Sequence, residues 1–103
     1  MKEIMKKNNI LICSAGKRVE LIKSFLSAIS DLKIDGEVFT TDMSPSLSAA
    51  CHVSNKSFKV PKVTSKNYIK ILLDICLKNE IKLVLPTIDD ELEILSKNKK
   101  SLP

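Results

Sequence analysis

Ile10-Leu11-Ile12-Cys13-Ser14-Ala15-Gly16-Lys17-Arg18 is the stretch that decides the fold. Four apolar residues rich in β-formers run into small residues and a glycine, then two cations, and a helical pattern opens at Val19. The order is strand, tight turn, helix N-terminus. In an open α/β sheet such a turn lies at the carboxyl end of the first strand, where free backbone N–H groups and the helix dipole favour an anion.

Beyond that stretch, Ile22, Phe25, Leu26 and Ile29 recur at i, i+3, i+4 and i+7, which predicts a helix from about Arg18 to Ser30 packed on a sheet. Asp31 to Gly36 form a turn, with Gly36 supplying permissive backbone before a second strand, Glu37 to Thr41. Ser44 as N-cap and Pro45 at the first helical position start a short helix through Cys51. Ser57 to Val60 read as a third strand, and the following Pro61 suits an edge position. Thr64 or Ser65 caps a helix whose stripe is Ile69, Leu72, Leu73 and Cys76, ending at Asn79. Lys82 to Leu85 form a fourth strand ended by Pro86, and a last helix opens at Thr87 with acids in its first turn and lysines near its end. Strict alternation of strand and helix predicts an α/β domain. It is a three-layer, Rossmann-like open sheet of about four parallel strands with helices on both faces. Residues 1–8 read as a polar leader, and residues 9–103 as the single domain.

The totals agree with one domain: 103 residues with 44% hydrophobic content support a modest core. No apolar run approaches the ~20 residues a bilayer requires, and the first nine residues lack the apolar segment of a signal peptide, so the expected location is cytoplasmic, without a membrane partner. Cys13, Cys51 and Cys76 are odd in number and widely spaced, with His52 the sole histidine, which suggests neither a disulfide framework nor a zinc site. The formal charge is +5, but the lysines are scattered and three Phe and one Tyr offer no stacking platform, so a solvated surface fits better than a nucleic-acid footprint. Arg18 is the sole arginine, and its place just after Gly16 matters more than the total charge.

Three stretches are candidate sites. The turn Ser14, Ala15, Gly16, Lys17, Arg18 can hold an anionic group, although a single glycine satisfies neither the G-x-G-x-x-G fingerprint nor a P-loop; the bland alternative is an ordinary β-to-α connection. Asp42 ends the second strand, where an acid in dinucleotide-binding folds accepts ribose hydroxyls; a turn carboxylate capping the N–H groups of Ser44 and Ser46 explains it more simply. Pro86-Thr87-Ile88-Asp89-Asp90-Glu91 ends the fourth strand on the same rim. Helix capping accounts for Asp89 and Asp90 but less well for Glu91, which could hold an ammonium or hydroxyl group. Cys51 and His52 lack a third partner and read as structural.

Taken together, Ile10 to Val19, Thr41-Asp42-Met43-Ser44-Pro45, Val60-Pro61-Lys62-Val63-Thr64 and Leu85 to Leu92 resemble the N-terminal region of ATP-grasp ligases over Asn9 to about Asn98. The nearest branch is carbamoyl-phosphate-synthase-large-subunit-like and includes amino-acid and peptide ligases. The resemblance implies a pre-ATP-grasp domain that helps bind a small carboxylate or amine substrate and packs on a C-terminal ATP-grasp domain. The complete enzyme would use ATP and magnesium to form an acyl phosphate that an amine attacks. It also implies that Ser14 to Arg18 and Asp89 to Glu91 face the shared cleft. The ATP-clamping segments would follow Pro103, so the expectation is a domain or fragment, inactive alone, with no cofactor in this chain. Two rival readings stand beside it. One is a Rossmann-type nucleotide or sugar-nucleotide module with Asp42 on a ribose; the other is an interaction domain whose exposed apolar face would show as a homodimer.

Overall fold

The computed structural model describes residues 8–102. The leader expected over residues 1–8 lies outside them, Asn8 excepted. The chain runs β1 (Asn9–Ile12), α1 (Val19–Asp31), β2 (Val38–Asp42), a 3-10 turn (Pro45–Leu47), α2 (Ala49–Val53), β3 (Lys56–Lys59), α3 (Tyr68–Lys78), β4 (Ile81–Leu85) and α4 (Asp89–Lys97). The four strands form one sheet in the order β3-β2-β1-β4, and every pairing is parallel. Ile12 lies opposite Thr40 on one side and Leu85 on the other, so β1 is central and β3 is an edge.

The alternation of side chains along β1 and β2 sorts the core into two layers. Leu11, Cys13 and Phe39 pack with Tyr68, Leu72, Ile75 and Cys76 of α3 and Leu95 of α4. Ile12 and Val38 pack on the other face with Ile22 of α1 and Ala50 and Cys51 of α2, supported by Phe25, Leu26 and Ile29. Burial on both faces is why Ile10-Leu11-Ile12-Cys13 is apolar without a break. The three-layer parallel α/β architecture expected from the alternation is therefore the observed one. Successive strands step outward from β1 to β3, then β4 returns to the opposite flank of β1. The β1/β4 boundary is thus the switch point, where crevices form at the carboxyl ends of strands.

Three local features depart from the sequence reading. The helix expected from Pro45 through Cys51 is interrupted at Ser48, whose backbone is extended. The Gly16 carbonyl causes the break: it accepts the Ser48 hydroxyl at 2.6 Å and the Ala50 N–H at 3.1 Å, while Ser48 Oγ caps α2 by accepting the Cys51 N–H. Helix α3 starts at Tyr68, after a local turn in which Ser65 Oγ accepts the Asn67 N–H and competes with helix. Gly36 is required for space, not for a left-handed backbone. A Cβ there would collide with the Asn8 carbonyl, whereas Gly16 has φ +52° and a Cβ on it would meet the Ser14 carbonyl oxygen at an ordinary contact distance of 3.8 Å.

Asparagine tolerates the left-handed region, so Gly16→Asn should cost less than about 1 kcal/mol. Gly36→Asn must displace backbone and should cost about 1–3 kcal/mol. Urea midpoints of the two variants check this; equal losses would contradict it.

Candidate functional site

The acidic first turn of α4 follows β4 directly, and the helix dipole favours carboxylates there. Asp89 and Asp90 are exposed, but Glu91 is 0% exposed and enclosed beneath the carboxyl rim of the sheet. Its Oε2 accepts the hydroxyls of Ser14 and Tyr68, the latter at 3.0 Å, and its Oε1 accepts the Thr87 N–H at 3.2 Å. A buried carboxylate is thus satisfied by three donors from three segments: the β1–α1 turn, the start of α3, and the β4–α4 turn. Ser14 reaches it from a backbone at φ +51°, a conformation that costs an L-residue about 1–2 kcal/mol.

Thr87 closes the switch point itself. Its hydroxyl lies 2.9 Å from the Cys13 carbonyl and 2.8 Å from that of Ser14, and its own carbonyl accepts Arg18 Nη2 at 3.0 Å. The open space lies beside this closure. It is a cleft of about 360 Å³ lined by Ser14, Asp42, Val60, Tyr68, Ile88 and Asp90, with Met43 and the loop Pro61 to Thr64 completing its wall.

The structure therefore divides the residues read from sequence. Ser14 and Asp42 line the cleft, and Asp90 of the acidic turn joins them. Glu91 lies behind it with both oxygens engaged. Ala15 is buried, its N–H donated to the Thr41 carbonyl. The Gly16 carbonyl ties the turn to α2, the Arg18 guanidinium is joined to Thr87, and Lys17 and Asp89 face solvent. Asp42 Oδ2 accepts the Ser44 N–H at 2.9 Å, as a turn carboxylate does. Cys51 is core, while His52 Nε2 pairs with the Ser46 carbonyl at 2.8 Å, so the two point apart. Tyr68 lines the cleft and lies outside every stretch singled out from the sequence, whereas Thr87 falls within the third of them. The available signal was the chain's one tyrosine inside an apolar stripe, since a buried phenol needs a partner for its hydroxyl.

Burial, with the negative charge of Glu91 second, pushes the Cys13 thiol from its ordinary 9.0 up to about 12. Burial also drives the Tyr68 phenol above its ordinary value, reinforced by Cys13 and by Glu91. Both groups are held in their neutral forms, and the phenol keeps the proton it donates. Among the described residues, no group of three or more His, Cys, Asp and Glu side chains could hold a metal ion, and no helix is long and apolar enough to cross a membrane.

A four-stranded, all-parallel sheet with a cleft on its carboxyl rim defines the class as a Rossmann-like α/β domain. The family model described as PylC-like, N-terminal domain matches residues 10–102, and the chain belongs to that family, the pre-ATP-grasp N-terminal domain of ATP-grasp ligases. A comparison with curated proteins finds no match.

Glu91→Ala leaves three donors without their acceptor and should destabilise by about 3 kcal/mol or more, whereas the exposed Asp89→Ala should cost under about 1 kcal/mol. Chemical denaturation of both variants measures the contrast. A second expectation concerns pH. The folded Cys13 thiol ionises near pH 12 and the unfolded one near 9.0, so its contribution is complete below pH 9 and is lost as pH rises through 12. Stability in that window should fall less steeply in Cys13→Ala than in the parent, and an unchanged slope would refute the assignment.

Proposed function

We propose that this chain is the substrate-binding N-terminal domain of an ATP-dependent carboxylate–amine ligase and that the cleft over Ser14 and Tyr68 forms one wall of the substrate site. The observation that carries the reading is the cleft's position on the carboxyl rim, within a domain of the PylC-like N-terminal family. The Ile10 to Val19, Thr41 to Pro45 and Leu85 to Leu92 segments support the finer placement beside carbamoyl-phosphate-synthase-like ligases.

In this reading ATP and magnesium bind on the ATP-grasp domain. The chain's own part is to bind and orient. Asp42 and Asp90 bring negative charge to the cleft, Lys62 brings a cation to its wall, and Val60, Val63 and Ile88 give it an apolar side. The partner domain packs where Ile88, shared with the cleft, is followed one helical turn on by exposed Leu92 of α4, which lies with Val84 and Pro86 beside the open β4 edge of the sheet. Apolar side chains grouped beside a binding cleft mark an interaction surface.

Mixing this chain with an ATP-grasp domain from a PylC-like ligase should restore ATP hydrolysis that depends on an added carboxylate. Leu92→Asp, at an exposed position, should abolish the restoration while the chain stays folded. Failure with the parent chain across a broad carboxylate and amine panel would contradict the proposal.

A further inference from the structure

The hydrogen-bond inventory of the cleft narrows the ligand further, on the premise that the cleft is a substrate wall. Its enclosed polar groups are Ser14, Asp42 and Tyr68, while Lys62, Thr64 and Asp90 are exposed at the rim. A hydroxyl has one proton and lone pairs to spare. Ser14 and Tyr68 both commit their proton to Glu91 Oε2. Whatever capacity their oxygens keep is acceptor capacity. Asp42 contributes a carboxylate, of which Oδ2 takes the Ser44 N–H and Oδ1 has no partner among the described residues. The floor thus offers oxygen acceptors and no side-chain donor, in a cleft whose remaining floor is apolar Val60, Pro61 and Val63.

We propose that this floor is a binding site for a primary ammonium group, and that Glu91 sets the selectivity from behind by holding the Ser14 and Tyr68 protons away from the ligand. An alkylammonium carries donors only and matches the floor. A carboxylate or phosphate carries acceptors only, meets no side-chain donor there, and is repelled by Asp42. Amine-bearing substrates therefore enter this wall with the ammonium end down and the alkyl stem against Val60 and Val63. Glu91 is a positioning residue: it touches no ligand, and it acts by fixing which end of two O–H bonds the ligand sees.

The test uses the ¹⁵N-labelled chain with n-butylammonium chloride and sodium n-butyrate as probes of matched size at equal ionic strength. Amide shifts of Ser14, Tyr68 and Ile88 should saturate with butylammonium at a Kd at least about tenfold below that of butyrate, the factor expected for a hydrogen bond to a charged group. Tyr68→Phe and Ser14→Ala should each lower that preference by several-fold with the fold retained. Glu91→Gln places an amide donor beside the two hydroxyls and frees one proton to turn outward, so the preference should shrink toward unity or invert. A structural role alone would weaken both probes together and leave the ratio unchanged. Tighter butyrate binding at these amides overturns the ammonium assignment while leaving the cleft a substrate wall; the absence of shifts from either probe overturns the assignment without that support for the wall. An ammonium preference without restored ligase turnover would instead count against the ligase reading alone.

Discussion

The interaction on which the rest depends is the enclosure of one carboxylate, Glu91, by Ser14, Tyr68 and Thr87. Burying such a group costs several kcal/mol, and three hydrogen bonds to it return about 1.5–3 kcal/mol each. These terms are of the same size, so the network adds little net stability. Its effect is geometric. Segments separated by up to 77 positions in sequence are brought to one point, with each donor aimed at a chosen oxygen.

That point lies where strand order reverses. In an open α/β sheet the loops on either side of the switch point splay apart and leave a crevice. Here Thr87 bridges them through the Cys13 and Ser14 carbonyls, and Arg18 fastens the outer side. Closure at β1/β4 displaces the open space toward β2, β3 and the start of α3, where Asp42, the Val60 to Thr64 loop and Tyr68 surround it. The strained backbone at Ser14 has the same cause: the residue must turn sharply out of β1 to deliver its hydroxyl to Glu91.

Much of the fold was legible because it rests on local periodicity. The apolar run at Ile10 to Cys13, the stripes in α1 and α3, and the proline after β4 report burial and element type directly. The break at Ser48 was not legible, because it comes from the Gly16 carbonyl 32 positions away. The site was legible only in part. Ser14, Asp42 and the acidic turn could be placed on one rim, since parallel strands deliver their ends to one edge. The separate fates of Asp89, Asp90 and Glu91 depend on which side of the first helical turn faces the core, a matter of α4 packing that three consecutive acids do not encode. Tyr68 approaches from another element, and nothing near it in sequence points to Glu91.

The central claim, that Glu91 ties the β4–α4 turn to the sheet, is tested most directly by native-state hydrogen exchange at the Thr87 amide. Thr87 lies in a half-buried loop where amides ordinarily exchange through small local openings. If its N–H is held on Glu91 Oε1, its opening free energy should approach that of the amides in central β1 and should drop sharply in Glu91→Gln. Exchange in the parent chain as fast as at exposed loop amides would contradict the account.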